Sequence, residues 1–116
     1  LSAEKEGVKL LRKERVKKRE DFVRLFNEGF RYHSKQYSLI VGRNNLDYVR
    51  LGVSIKKSVG NAAVRNYEKR ICREIFRKLK GNFKRGLDVL IIIKQPTGKF
   101  QKSRTTLEDL FARALY

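Results

Sequence analysis

Residues Gly60 to Lys80 leave a chain of this size few choices. Asn61 suits an N-cap, because its side-chain oxygen can accept from the backbone N–H groups of a first helical turn. The residues that follow sort into two faces. With Val64 at zero on a wheel of about 100° per residue, Val64, Ile71, Ile75 and Leu79 fall within about 80° of one another. Tyr67 and Cys72 flank them. Asn66, Lys69, Arg70, Arg73, Arg77 and Lys80 gather around the opposite pole, with Arg65 at the border. Glu68 and Glu74 fall away from the centre of that basic face. A helix from Asn61 to about Lys80 must therefore bury one stripe on a sheet or on other helices. Its other stripe holds cations of one sign, which repel unless a polyanion lies against them.

The partners for the apolar stripe are legible on either side. Val49, Leu51, Val53 and Ile55 alternate with Arg50, Gly52, Ser54 and Lys56, a strand with one apolar and one polar, basic face. Residues 36–42 suit a second strand, and Asn44, Asn45 and Asp47 supply turn chemistry between the two. These two strands read as an antiparallel pair. Residues 87–93, LDVLIII, form a β-branched run suited to a strand buried on both faces. Residues 20–29 read as a helix: Phe22, Leu25 and Phe26 share a face, Glu20 and Asp21 complement the dipole, and Gly29 stops it. Residues 103–116 read as a final helix, with Thr105 and Glu108 as a capping box. The expectation is an α/β sandwich of two layers, in the order α-β-β-(β)-α-β-α.

Composition narrows the function. The 116 residues carry 29 Lys and Arg against 12 Asp and Glu, a formal net charge of +17. That excess opposes folding and suits a nucleic-acid partner. One cysteine and one histidine exclude a disulfide framework, a Cys-based zinc site and a multi-histidine centre. The longest apolar run, Val89 to Ile93, is too short to span a membrane. The expected protein is cytoplasmic, a single domain over 1–116 that binds RNA or DNA. Residues 1–17 are charge-dense and read either as a solvated tail or as a basic arm that orders on RNA. Cys72 reads as a small buried hydrophobe. His33 lacks an orienting partner in the sequence and reads as a surface or RNA-contacting residue. No paired carboxylates or metal-ligand spacing appear, so the expectation is no catalytic residue and no metal site in the protein.

The stretch Lys56 to Arg77, KKSVGNAAVRNYEKRICREIFR, resembles the signature of the bacterial ribonuclease P protein component. Gly60, Asn61, Ala62, Arg65, Asn66, Lys69, Arg70, Arg73 and Glu74 stand at that motif's places. The likeness continues through Asp21-Phe22, Phe26, Gly29, Arg50 to Ser54 and Lys94-Gln95-Pro96, covering about residues 16–116. Three positions depart from it. The chain reads Lys56-Lys57-Ser58 where many members read Ser-Lys-Lys, Arg19 sits where an asparagine is frequent, and Ile40 sits where some members carry tyrosine.

The resemblance implies a mixed, mostly antiparallel sheet with a left-handed βαβ crossover around the long helix, against the usual right-handed preference. It implies the non-catalytic protein subunit of an endoribonuclease that removes the 5′ leader of precursor tRNA. The RNA subunit would perform the hydrolysis with Mg²⁺, held mainly by that RNA and not by a protein cage. Lys56, Lys57, Asn61, Arg65, Asn66, Lys69, Arg70, Arg73 and Arg77 would then bind the RNA subunit. Phe22, Phe26, Ser38, Ile40, Arg50 and Ser54 would line the cleft for the leader. On the residues alone, Phe22 and Phe26 read either as core or as a stacking platform. The alternative function is a ribosomal or assembly-type RNA-binding protein with no catalytic partner. An autonomous nuclease is disfavoured by the missing acid–base and metal constellations.

Overall fold

The structure, a computed structural model, describes residues 10–116. The elements are α1 (Arg19–Glu28), β1 (Phe30–His33), β2 (Tyr37–Arg43), β3 (Arg50–Ile55), α2 (Ala62–Leu79), β4 (Leu87–Ile93) and α3 (Phe100–Leu115). One four-stranded sheet has the order β1-β2-β4-β3. The β1–β2 and β2–β4 pairs are antiparallel, and β3–β4 is parallel with α2 in the connection.

This arrangement corrects one pairing. The strands over 36–42 and 49–55 are not neighbours, because β4 lies between them and pairs with both. The reason is in the composition of β4. Val89, Leu90, Ile91 and Ile93 are fully buried, so this strand needs cover on both faces and both edges, which only a central position supplies. The further strand of the expected order is β1, a short edge strand that precedes the other two.

Helices α2 and α3 pack on one face of the sheet. Ile71, Cys72, Ile75, Phe76 and Leu79 of α2 meet Leu107, Leu110, Phe111 and Leu115 of α3 over Leu39, Leu51, Val89 and Ile91. That is the expected two-layer sandwich. Helix α1 adds a shorter layer on part of the other face, where Phe22 and Leu25 pack on Ile40, Leu90 and Ile92. Two glycines admit it. A β-carbon at Gly52 would lie 2.9 Å from the Phe22 ring, and one at Gly29 would lie 2.5 Å from the Ile40 side chain.

Asn61 caps α2 as expected, accepting from the Val64 N–H at 3.0 Å. Asn44 makes the expected turn by accepting from the Leu46 N–H at 2.8 Å. The last helix starts at Phe100, five residues before the proposed cap, because Phe100 packs against the core and draws the helix upstream. Thr105 is therefore interior, with its hydroxyl donating to the Gln101 carbonyl.

Glu68 lies within the apolar stripe of α2 and is fully buried. Its carboxylate accepts from the backbone N–H groups of Thr97 and Gly98, at 3.2 and 3.1 Å. Thr97 also meets Ser103, which accepts from the Tyr37 hydroxyl at 2.8 Å. These bonds tie the β4–α3 loop to α2 and leave the buried carboxylate satisfied. Cys72 is buried beside them, and burial pushes its thiol up to about 12, so it stays protonated and packs as a hydrophobe.

Residues 10–17 pack on the body. A 3-10 turn covers Arg12–Glu14, Val16 is buried, and its N–H donates to the Leu51 carbonyl at 2.8 Å. The part of the expected arm over residues 1–9 lies outside the described residues.

Candidate RNA interface

Side-chain parity divides the sheet. Odd positions of β2 and β4 face α2 and α3, and the even ones face α1. The α1 side forms three rows across the strands. In the first, Gly42, Asp88 and Arg50 are register partners. In the second, Arg31, Ile40, Leu90 and Gly52 align. In the third, His33, Ser38, Ile92 and Ser54 align.

Asp88 anchors the first row and joins α1 to the sheet. It is fully buried, and it accepts from Arg50 Nε at 2.8 Å and Arg50 Nη2 at 2.7 Å. Arg24 Nη2 of α1 donates at 2.7 Å and Asn44 Nδ2 at 2.9 Å. Burial works against the Asp88 charge, but the hydrogen bonds from Arg50, Asn44 and Arg24 outweigh it and hold the carboxyl below its ordinary range. Arg50 was expected to face outward to nucleic acid. The structure commits its guanidinium to Asp88 instead, because a buried carboxylate needs paired cations. The signal for this cluster was present in the sequence: Asp88 is the one polar residue in LDVLIII.

The second row is covered apart from Arg31, which is exposed on the edge strand. Ile40 is fully buried under α1, so the structure places it in the packing and not in the cleft. Phe22 is half-buried in the same cluster. Phe26 is exposed at 46%, one turn along α1, and the Arg31 guanidinium sits 5.6 Å from its ring centre. The two rings that share a face in sequence thus divide their roles: Phe22 packs and Phe26 is presented. Phe22→Ala is expected to lower folding stability by about 2–4 kcal/mol, and Phe26→Ala by less than about 1 kcal/mol. Chemical denaturation of the two variants measures the difference.

The third row is the open floor beyond α1. Ser54 is exposed, Ile92 is half-buried, and Ser38 is nearly covered because its hydroxyl is bonded to His33 Nδ1 at 2.8 Å. His33 itself is exposed. The floor therefore has an apolar centre between hydroxyl groups, a surface on which a base can lie while its edge finds polar partners. Ile92 and His33 were not among the expected cleft residues; the parity of β4 and the β1–β2 register bring them in.

From Ser54 the chain passes to Lys56 and Lys57, both exposed, and then to the cap of α2. The cleft floor and the basic helix are thus consecutive along β3. On α2, Asn66 and Arg70 are exposed and Arg65, Lys69 and Arg73 half-exposed. Lys69, Arg70 and Arg73 have no acidic partner among the described residues. Arg65 reaches the Lys57 carbonyl at 3.5 Å and holds the preceding turn. Arg77 pairs with Glu74 at 2.8 Å, and Lys80, beyond the helix end, pairs with Glu14 at 2.8 Å. Tyr67, expected at the flank of the apolar stripe, is 41% exposed, with Arg70 5.9 Å from its ring centre.

Among the described residues no group of three or more His, Cys, Asp or Glu side chains is arranged to hold a metal ion. No helix of the described residues is long and apolar enough to cross a membrane.

The chain as a whole is similar to known proteins. The sequence pattern of one family, ribonuclease P, matches residues 10–115. The chain is 38% identical over 92 residues to a ribonuclease P protein component of Syntrophus aciditrophicus, covering 79% of this chain and 77% of that protein. It superposes on the ribonuclease P protein of Staphylococcus aureus with a TM-score of 0.81 at 32% identity, over 87% of this chain and 94% of the other. The ribonuclease P protein of Thermotoga maritima gives a TM-score of 0.78 at 33% identity, over 86% of this chain and 96% of the other.

Proposed function

The chain belongs to the family of ribonuclease P protein components, and we propose that it seats the RNA subunit on α2 while the cleft beside α1 holds the 5′ leader of precursor tRNA. The observation that supports this reading most is the outer face of α2. Lys69, Arg70 and Arg73 stand there without acidic partners among the described residues, and Lys56 and Lys57 are exposed shortly before the helix begins. Such a row repels itself and is relieved by phosphates, whose bound counterions are released on contact.

In this reading the RNA subunit carries out hydrolysis, with magnesium ions held on RNA phosphates; such ions keep most of their waters and need no protein cage. The protein contributes positive charge that lowers RNA–RNA repulsion, and it adds affinity for the leader. Residues 1–116 act as one RNA-binding domain in the cytoplasm, with the basic residues before α1 contributing to RNA contact. The leader runs over the floor of Ser38, Ile92 and Ser54 and meets the exposed Phe26 ring at its edge. Nothing in the fold or the relatives favours the ribosomal or assembly-type alternative.

The test is the affinity of the assembled RNA–protein complex for precursor and for mature tRNA. Precursor is expected to bind more tightly. Phe26→Ala should weaken precursor binding by about 1–3 kcal/mol if one base stacks there, with mature tRNA unaffected. Equal affinity for precursor and mature tRNA in the wild-type complex would remove the leader-binding role.

A further inference from the structure

A small concavity lies between the N-terminal segment and α2. It encloses about 250 Å³ and is lined by Arg15, Arg70, Arg73 and Arg77 with Leu10 and Glu74. Glu74 is taken up by Arg77 at 2.8 Å. Arg15, Arg70 and Arg73 are left facing one space with no acidic partner among the described residues. Three guanidinium groups around one cavity repel, and folding alone gives no reason to add the third.

Yet the segment carrying Arg15 is firmly seated. Glu14 and Val16 are buried, and Arg15 between them is exposed, the alternation of an extended strand. Val16 donates its N–H to the Leu51 carbonyl, and Arg15 forms a parallel bridge with Leu51 at the open edge of β3. The Glu14 carboxylate accepts from the Leu11 N–H at 2.7 Å and from Lys80 Nζ at 2.8 and 3.1 Å. The backbone on both sides of Arg15 is thus held to the body, and its side chain is turned toward α2.

We propose that this concavity is a phosphodiester-binding site for the RNA subunit, in which Arg15 joins Arg70 and Arg73, and that Glu14 is a positioning residue that aims Arg15. The proposal rests on the assignment of α2 as the RNA-facing helix. It adds that residues 10–17 complete the site, so that RNA affinity depends on how this segment sits on β3.

The experiment measures binding of a bacterial ribonuclease P RNA across a salt series to the wild type, Arg15→Ala, Arg15→Lys, Glu14→Gln and the Glu14→Gln/Arg15→Ala double variant. Circular dichroism checks folding. Arg15→Ala should weaken binding about 5- to 10-fold and reduce the salt slope by about one. Arg15→Lys should keep the slope and lose part of the affinity, since a lysine cannot make the forked contact. Glu14→Gln separates positioning from charge. It removes a negative charge, so unspecific attraction would make binding tighter; the proposal expects it about 3-fold weaker, with no further weakening in the Arg15→Ala background. Unchanged affinity and slope in Arg15→Ala, or tighter binding in Glu14→Gln, overturns the proposal. Lys69→Ala serves as the reference. Loss there with none at Arg15 rejects this site alone, whereas no loss at either rejects the assignment of α2.

Discussion

Asp88→Asn is expected to destabilise the fold by about 3–5 kcal/mol, because it leaves Arg24 and Arg50 facing a buried site with only Asp21, 3.6 Å from each and partly exposed, as counter-charge. Arg24 and Arg50 both donate to Asp88, and Asn44 holds the same carboxylate from the β2–β3 turn. The carboxylate therefore joins α1, β3 and the turn through one atom group, and its loss loosens all three. In a domain of this size the melting temperature should fall by on the order of 15 °C. The pH dependence follows from the depressed ionisation of Asp88. A carboxyl whose folded value lies below its unfolded value stabilises fully above the unfolded value, about 3.9, and less as pH falls through the folded one. The stability gap between wild type and Asp88→Asn should be constant near neutrality and narrow as pH drops below about 4. Thermal denaturation over a pH series measures it. A gap near zero at pH 7 would show that the two arginines find other partners.

The elements were largely legible because each is written in local pattern. The 3.6 period over 61–80, the period of two over 49–56 and the apolar run at 87–93 all became the elements expected. Pairing order was not legible in that way. The short Asn44–Asp47 turn suggested a hairpin, but a turn fixes only the chain's direction, while the burial demand of β4 decided which strand became its neighbour. The cleft was half legible for the same reason. Motif position pointed to Ile40 and Arg50, yet cover by α1 and the charge of Asp88 removed both from the open surface. Glu68 shows the converse. The wheel placed it only away from the basic face, and its burial is explained by the Thr97 and Gly98 backbone N–H groups, 29 and 30 residues further along the sequence.

Replacing Lys69, Arg70 and Arg73 together by alanine is expected to have the largest effect on RNA binding. Their side chains lie on the outer half of α2, opposite Ile71, Ile75 and Leu79, so the fold should be preserved. Alanine is also the strongest helix former, which offsets the lost side-chain contacts. If each cation meets a phosphate, the slope of log affinity against log salt should fall by about three, and affinity at physiological salt by on the order of 100-fold or more. Arg77→Ala should do less, since Glu74 already takes part of its charge. Fluorescence binding across a salt series, with circular dichroism as the folding control, measures both quantities. An unchanged slope with a folded helix would place the RNA elsewhere on the molecule.

The central assignment is tested most directly by cleavage of precursor tRNA at low magnesium, using a bacterial ribonuclease P RNA with and without the protein. The protein alone, freed of contaminating RNA, is expected to cut nothing at any magnesium concentration. Added to the RNA, it should restore cleavage of the 5′ leader at magnesium concentrations where the RNA alone is inactive, and the Lys69/Arg70/Arg73 variant should not. Cleavage by the protein alone, or an RNA whose magnesium requirement is the same with and without it, would contradict the assignment.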